Sequence, residues 1–199
     1  MNAMTQPARN FSNLLIATER LQLRPLRESD AAMLLNIRSR HEVMRYHSSG
    51  PWKEMAQAEQ LIARDLAAMA VGEHLRLALV LAGENDIIGN CCLFHLDAQS
   101  RRAEVGYDLH PDHWRRGYMN EALQALLGYG FKELDLNRIE ADIHPDNLAS
   151  ANTLEKLGFV REGLLRERWI VEGEVSDSVI YGLLSRDWHA TGAMHADRG

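Results

Sequence analysis

The sequence predicts a mixed α/β (α+β) single domain, with about seven strands in one central sheet flanked by four helices. Three observations lead there. The apolar patterns follow the order β α α β β β α β α β β. Residues 75–109 hold three successive apolar or alternating runs separated by turn residues, the pattern of an antiparallel meander. Residues 102–159 then alternate strand, helix, strand and helix, which is crossover architecture with helices covering the sheet.

Each element has a local reason. Residues 18–24 alternate, with Leu21 and Leu23 on one side and Arg20, Gln22 and Arg24 on the other, until Pro25 ends the strand. Ser29 or Asp30 can cap a helix over 31–38 that carries Met33, Leu34 and Ile37 at helical spacing. Residues 46–51 read as a loop. A second helix over 55–69 lines up Leu61, Ile62, Leu66 and Met69, and Gly72 stops it. The strands 75–81 and 87–96 flank the turn Gly83-Glu84-Asn85-Asp86, and a turn at 98–100 leads into the strand 102–109. A long helix follows to about residue 134, then a strand over 138–144 and a helix over 149–157. A hairpin at 164–171 and 179–184 turns at Glu172-Gly173-Glu174. The domain is expected over 15–188, with flexible tails at 1–14 and 189–199.

A chain of 199 residues with 46% hydrophobic and 25% charged content has the make-up of one soluble globular domain. A net charge of −6 argues against direct nucleic-acid binding, which needs a basic field. The two cysteines, Cys91 and Cys92, are adjacent and read as buried thiols in a reducing compartment. No apolar run is long enough for a bilayer and no secretory leader is visible, so a cytoplasmic protein without a membrane partner is expected. His110 and His113 do not fall in a metal-binding pattern, and no metal is expected. The late hairpin could pair between two copies in a homodimer.

The chemistry concentrates at Trp114-Arg115-Arg116-Gly117-Tyr118-Met119-Asn120, between a strand and a helix. Gly117 allows close backbone approach, Arg115 and Arg116 supply charge, and the helix start presents N–H groups. Such a turn can cradle a pyrophosphate; taken alone it serves equally as a plain strand-to-helix turn. It is neither G-x-G-x-x-G nor a P-loop.

In its surroundings the turn resembles the GNAT (Gcn5-related N-acetyltransferase) superfamily. The resemblance rests on residues 103–159, including His144-Pro145-Asp146-Asn147-Leu148-Ala149-Ser150-Ala151-Asn152 and Glu155-Lys156-Leu157-Gly158-Phe159. The superfamily's phosphate motif is Gln/Arg-x-x-Gly-x-Gly/Ala; here Trp114 and Met119 depart from its two ends. Gly117-Tyr118-Met119-Asn120-Glu121-Ala122-Leu123, residues 18–24 and residues 173–188 look like the branch that acetylates the N-terminal alanine or serine of ribosomal proteins.

The resemblance implies acetyl-CoA as donor and a primary amine as acceptor, attacking the thioester directly. It implies that Val105, Tyr107 and Leu109 lie along pantetheine on a strand that splays from its neighbour. Arg115, Arg116, Gly117, Tyr118, Met119 and Asn120 would hold the pyrophosphate, and Asn147 and Asn152 the pantetheine arm. Asn147 is equally suited to cap the following helix. Glu104 is the expected general base, direct or through water, with Glu140 and Glu167 as rivals. The tyrosine that many members place four residues before Gly-Phe is Leu154 here, which leaves Ser150 as the hydroxyl for the leaving thiolate. Tyr46, Trp52 and Tyr107 are candidate acceptor-pocket walls. The expected acceptor is a protein N-terminus, with a small amine (polyamine, amino acid or aminoglycoside) as the alternative. A non-catalytic acyl-CoA-binding module is the third reading.

Overall fold

Alternation decides which way each residue of the central strands faces, and two helical layers are the result. The computed structural model describes residues 9–188. Its strands are β1 (Ile16–Ala17), β2 (Leu21–Pro25), β3 (Leu75–Leu81), β4 (Ile87–Asp97), β5 (Arg102–Leu109), β6 (Arg138–Ile143), β7 (Val160–Val171) and β8 (Glu174–Leu184). The helices are α1 (Ala31–Arg38), α2 (His41–Met44), α3 (Met55–Ala70), α4 (Tyr118–Lys132) and α5 (Leu148–Lys156). The sheet order is β1-β2-β3-β4-β5-β6-β8-β7, antiparallel throughout except for the parallel β5–β6 pair.

β3 shows why the sheet is covered on both faces. Leu75, Leu77 and Leu79 pack with Leu123, Leu126 and Phe131 of α4, while Ala78 and Val80 pack with Leu34 and Ile37 of α1 and Ile62 of α3. Fully burying each of these Leu, Ile, Val and Phe side chains stabilises the fold by roughly 1.5–3 kcal/mol. The meander over residues 75–109 and the crossover units are as expected.

Other expectations change. The eighth strand is the two-residue β1, too short to register as a pattern, and α2 occupies one turn just before the loop. Phe11, placed by the sequence in a loose tail, is buried, and its N–H donates to the Met69 carbonyl at 2.9 Å. At the other end Trp188 packs against Phe131, with ring centroids 5.9 Å apart. Leu14 packs against the same core, and the expected tail positions 1–8 and 189–199 lie outside the described residues. Arg24, assigned to a polar face, is buried and donates to both carboxylate oxygens of Asp30 at 2.7 and 2.9 Å. Asp30 does not cap α1 with its side chain; its Oδ2 accepts from Arg24 and from the Arg27 N–H. A buried arginine survives there because its carboxylate partner is buried with it.

Candidate active site

The site opens where the sheet parts. β5 and β6 pair only at Arg102↔Arg138, Ala103↔Ile139 and Glu104↔Glu140. β5 continues to Leu109 without a β6 partner in the register, leaving its edge from Val105 onward facing a cleft. The cleft volume is 2810 Å³, well beyond the ~300–1,000 Å³ usual for one small ligand. It runs from the turn at 113–121, past the splay, to the 41–52 segment and the β7–β8 tip.

At one end stands the glycine turn. Gly117 has φ +80° and Arg115 φ +59°, both left-handed, a conformation that suits glycine and is uncommon for an arginine. α4 starts at this turn with no side-chain cap, so its first N–H groups are free to meet an anion. The contrast is α5, where Asn147 Oδ1 accepts from Ser150 N–H at 3.1 Å. Asn147 is thus the expected cap and lines the cleft as well. Trp114 anchors the turn to β5, its Nε1–H donating to the Leu109 carbonyl at 2.8 Å. Arg115, Tyr118, Met119 and Asn120 line the cleft; Arg116 is exposed and outside its lining, and it contributes its carbonyl to the turn's own bracing.

That bracing comes from Arg20, which the sequence showed only as the polar face of a strand. Its Nη1 donates to the Arg116 carbonyl at 2.9 Å, its Nε to Glu121 Oε2 at 2.6 Å, and its guanidinium lies 4.7 Å from the Tyr118 ring centre. Thr18 Oγ1 adds a bond to Glu121 Oε1 at 2.6 Å. Burial acts to raise the Glu121 carboxyl, but the hydrogen bonds from Thr18 and Arg20 outweigh it and hold it below the usual range. The only hint in the sequence was the charge of Arg20; its partner lies 101 residues away.

The three carboxylates proposed as base separate clearly. Glu104 lines the cleft at the splay, half-buried, with Oε1 3.0 Å from His95 Nδ1 and 3.9 Å from Arg102 Nη1. Glu140 is bound by Arg102 at 2.6 Å and Arg138 at 2.7 Å, which outweigh its burial and keep its carboxyl low. It clasps the two strands and does not line the cleft. Glu167 is exposed on a bulge of β7, also outside the lining.

Ser150 is buried and its Oγ lies 2.6 Å from the Tyr107 hydroxyl. Burial pushes the Tyr107 phenol up to about 12, against the opposing pull of the Ser150 hydrogen bond. Tyr107 therefore partners Ser150, a pairing across 43 residues that the sequence did not reveal. Asn152 is exposed at the cleft margin.

The far end is aromatic and charge-matched. Tyr46 stacks on His144 with centroids 5.0 Å apart, and Trp52 receives the Arg38 guanidinium at 4.9 Å. Arg38 also donates to Asp108 Oδ2 at 2.7 and 2.9 Å, Asn90 to Asp108 Oδ1 at 2.6 Å, Arg76 to Asn90 at 2.6 Å, and Arg76 to Asp65. The Glu172 carboxylate sits so close to Gly50 that a β-carbon there would collide with it, so the hairpin tip closes on the loop. Among the described residues no group of three or more His, Cys, Asp or Glu is arranged for a metal, and no helix is long and apolar enough to cross a membrane.

His74 makes this end acid-sensitive. Its Nε2 is buried without a hydrogen-bond partner, 3.6 Å from Asp65 Oδ2. Burial pushes the imidazole down from 6.5 to about 4, more than Asp65 raises it. The unfolded chain therefore binds this proton first. Its contribution is complete above pH 6.5 and is lost as pH falls toward 4, by at most about 3 kcal/mol. Urea unfolding across that range should show the decline, and His74→Gln should flatten it.

The comparisons identify the family. Residues 20–160 match the family model described as an acetyltransferase (GNAT) domain. An uncharacterized N-acetyltransferase, p20, of Bacillus licheniformis is 37% identical over 171 residues, 86% of this chain and 96% of its own. The alanine N-acetyltransferase of ribosomal protein uS5 from Escherichia coli is 25% identical over 188 residues, 90% of this chain and 95% of its own. The spermidine N(1)-acetyltransferase of Vibrio cholerae is 26% identical over 157 residues, 79% of this chain and 88% of its own. The crystal structure of a GNAT-family acetyltransferase from Bacillus anthracis matches with a TM-score of 0.78 at 28% identity, covering 87% of this chain and 99% of its own. Such relatives set aside a purely non-catalytic acyl-CoA-binding module. The chain belongs to the GNAT acetyltransferase family, and it is an acyltransferase whose donor is acetyl-CoA.

Proposed function

We propose that the enzyme acetylates the N-terminal amine of a protein, with ribosomal proteins as the acceptor class. One observation carries this reading. The deep carboxylates of the acceptor end are already matched: Asp65 by Arg76, Asp108 by Arg38, and Asp142 by Arg168 at 3.5 Å. A polycation would find little unmatched charge there, whereas one amine on a peptide needs only one carboxylate. The relative that acts on ribosomal protein uS5 supports it. A small polyamine is the second reading, favoured by Glu42, Glu172 and Glu174 exposed on the cleft lining and by the spermidine-acetylating relative.

In this mechanism the N–H groups at the start of α4, with Arg115 and Gly117, hold the pyrophosphate, and the open edge of Val105–Leu109 lies along pantetheine. Asn147 and Asn152 serve the same arm. Glu104 takes a proton from the incoming ammonium so that the nitrogen lone pair can attack. Ser150, held by Tyr107, donates a hydrogen bond to sulfur as the C–S bond breaks. A phenol near 12 keeps its proton against a thiol of ~8.5, so the pair stabilises the thiolate without protonating it outright. The buried Cys91 and Cys92, with no disulfide, suit a cytoplasmic enzyme.

The test is thiol release from acetyl-CoA with peptides beginning in alanine or serine, set against spermidine, amino acids and aminoglycosides. Peptides should exceed small amines in kcat/KM by ~10-fold or more. A polyamine preference of that size would reverse the assignment.

A further inference from the structure

We infer that His95 is a positioning residue that carries the proton from Glu104 to solvent. The inference rests on Glu104 being the general base.

The geometry depends on a bulge. In the β4–β5 ladder Phe94 pairs with Glu104 and Asp97 with Arg102, so His95 and Leu96 together face Ala103. In an unbroken strand, neighbours point to opposite faces, and His95 would leave the face that Phe94 shares with Glu104. The extra residue re-aims it, at the cost of a left-handed backbone with φ +50°. As a result Nδ1 lies 3.0 Å from Glu104 Oε1, while the His95 side chain is 69% exposed and that of Glu104 only 25%. One edge of the imidazole meets the carboxylate, and most of the side chain is open to water. The groups facing it are Glu104 from β5 and His74 from the turn before β3, with the Phe94 ring edge-on at 4.8 Å; Arg102 lies 3.9 Å from the same Glu104 oxygen.

The reaction needs such an exit. An ammonium and an acetyl thioester become an amide, a thiol and one free proton. The C–N bond forms and the C–S bond breaks with its electron pair going to sulfur. Of the two protons nitrogen loses, one ends on sulfur and the other on Glu104. That second proton must leave before the next turnover. His95 Nδ1 accepts it from the carboxyl, Nε2 releases one to water, and the ring resets by exchange with solvent.

The variant to use is His95→Asn, because asparagine tolerates a left-handed backbone and cannot relay a proton at neutral pH. In dilute buffer kcat should fall ~10-fold, with KM for acetyl-CoA and the thermal midpoint unchanged. Added imidazole should restore kcat saturably, which it would not do for a merely structural loss. In a Glu104→Gln background the same change should add no more than about twofold. Wild-type kcat in dilute buffer, or a loss that imidazole does not rescue, would overturn the relay. If Glu104→Gln alone leaves kcat unchanged, the base assignment fails and the relay falls with it.

Discussion

Gly117→Asp is expected to abolish measurable acetyl-CoA binding, weakening it at least ~100-fold, or about 2.7 kcal/mol. Two effects add. The backbone at φ +80° suits glycine, and a side chain in that conformation costs ~1–2 kcal/mol, which favours rearrangement of the turn. The new carboxylate would also stand at the start of α4, where the N–H groups would meet a pyrophosphate, and repel it. The β-carbon would lie 3.4 Å from Arg20 Nη2, so the aspartate can draw Arg20 from the Arg116 carbonyl and unbrace the turn. Isothermal titration with acetyl-CoA, beside a thermal unfolding curve showing the fold intact, checks the prediction. Gly117→Ala should fall between wild type and aspartate, since it carries the strain without the charge. Equal affinities for all three proteins would remove the turn from the cofactor site.

Glu104→Gln should lower kcat by ~10²–10³ while leaving KM for acetyl-CoA close to wild type. Glutamine keeps the size and a hydrogen-bonding oxygen but cannot accept the ammonium proton. The deficit should shrink as pH rises past ~8, because an α-amino group then deprotonates in solution and arrives ready to attack. A pH–rate profile for a peptide acceptor reads this directly. A uniform deficit at every pH would point to misplacement of the acceptor instead of lost base catalysis.

Much of this was legible in the chain because it depends on local pattern. Alternation in residues 75–109 gave the meander, and Gly117 between strand and helix gave the uncapped turn that opens α4. Asn147 could be read as a cap because the capping bond spans only three residues. What stayed hidden depends on contacts far apart in sequence. Arg24, Arg38 and Arg76 look like surface charges in a strand or helix pattern, yet each is buried against a carboxylate. Tyr107 meets Ser150 only because β5 and α5 converge. His95 reaches Glu104 through a bulge, and an extra residue leaves no mark on composition or periodicity.

The brevity of the β5–β6 pairing has a mechanical consequence. Three rungs and the Arg102–Glu140–Arg138 clasp form the vertex of a wedge whose two arms are the halves of the sheet. The arm from Glu104 to Leu109 is six residues, or ~17 Å between its ends. A tilt of a few degrees at the vertex becomes an ångström at the mouth, where the turn begins. Residues that never touch a substrate thus set the calibre of the cleft, and Glu104, the proposed base, stands at the pivot, where the arms move least.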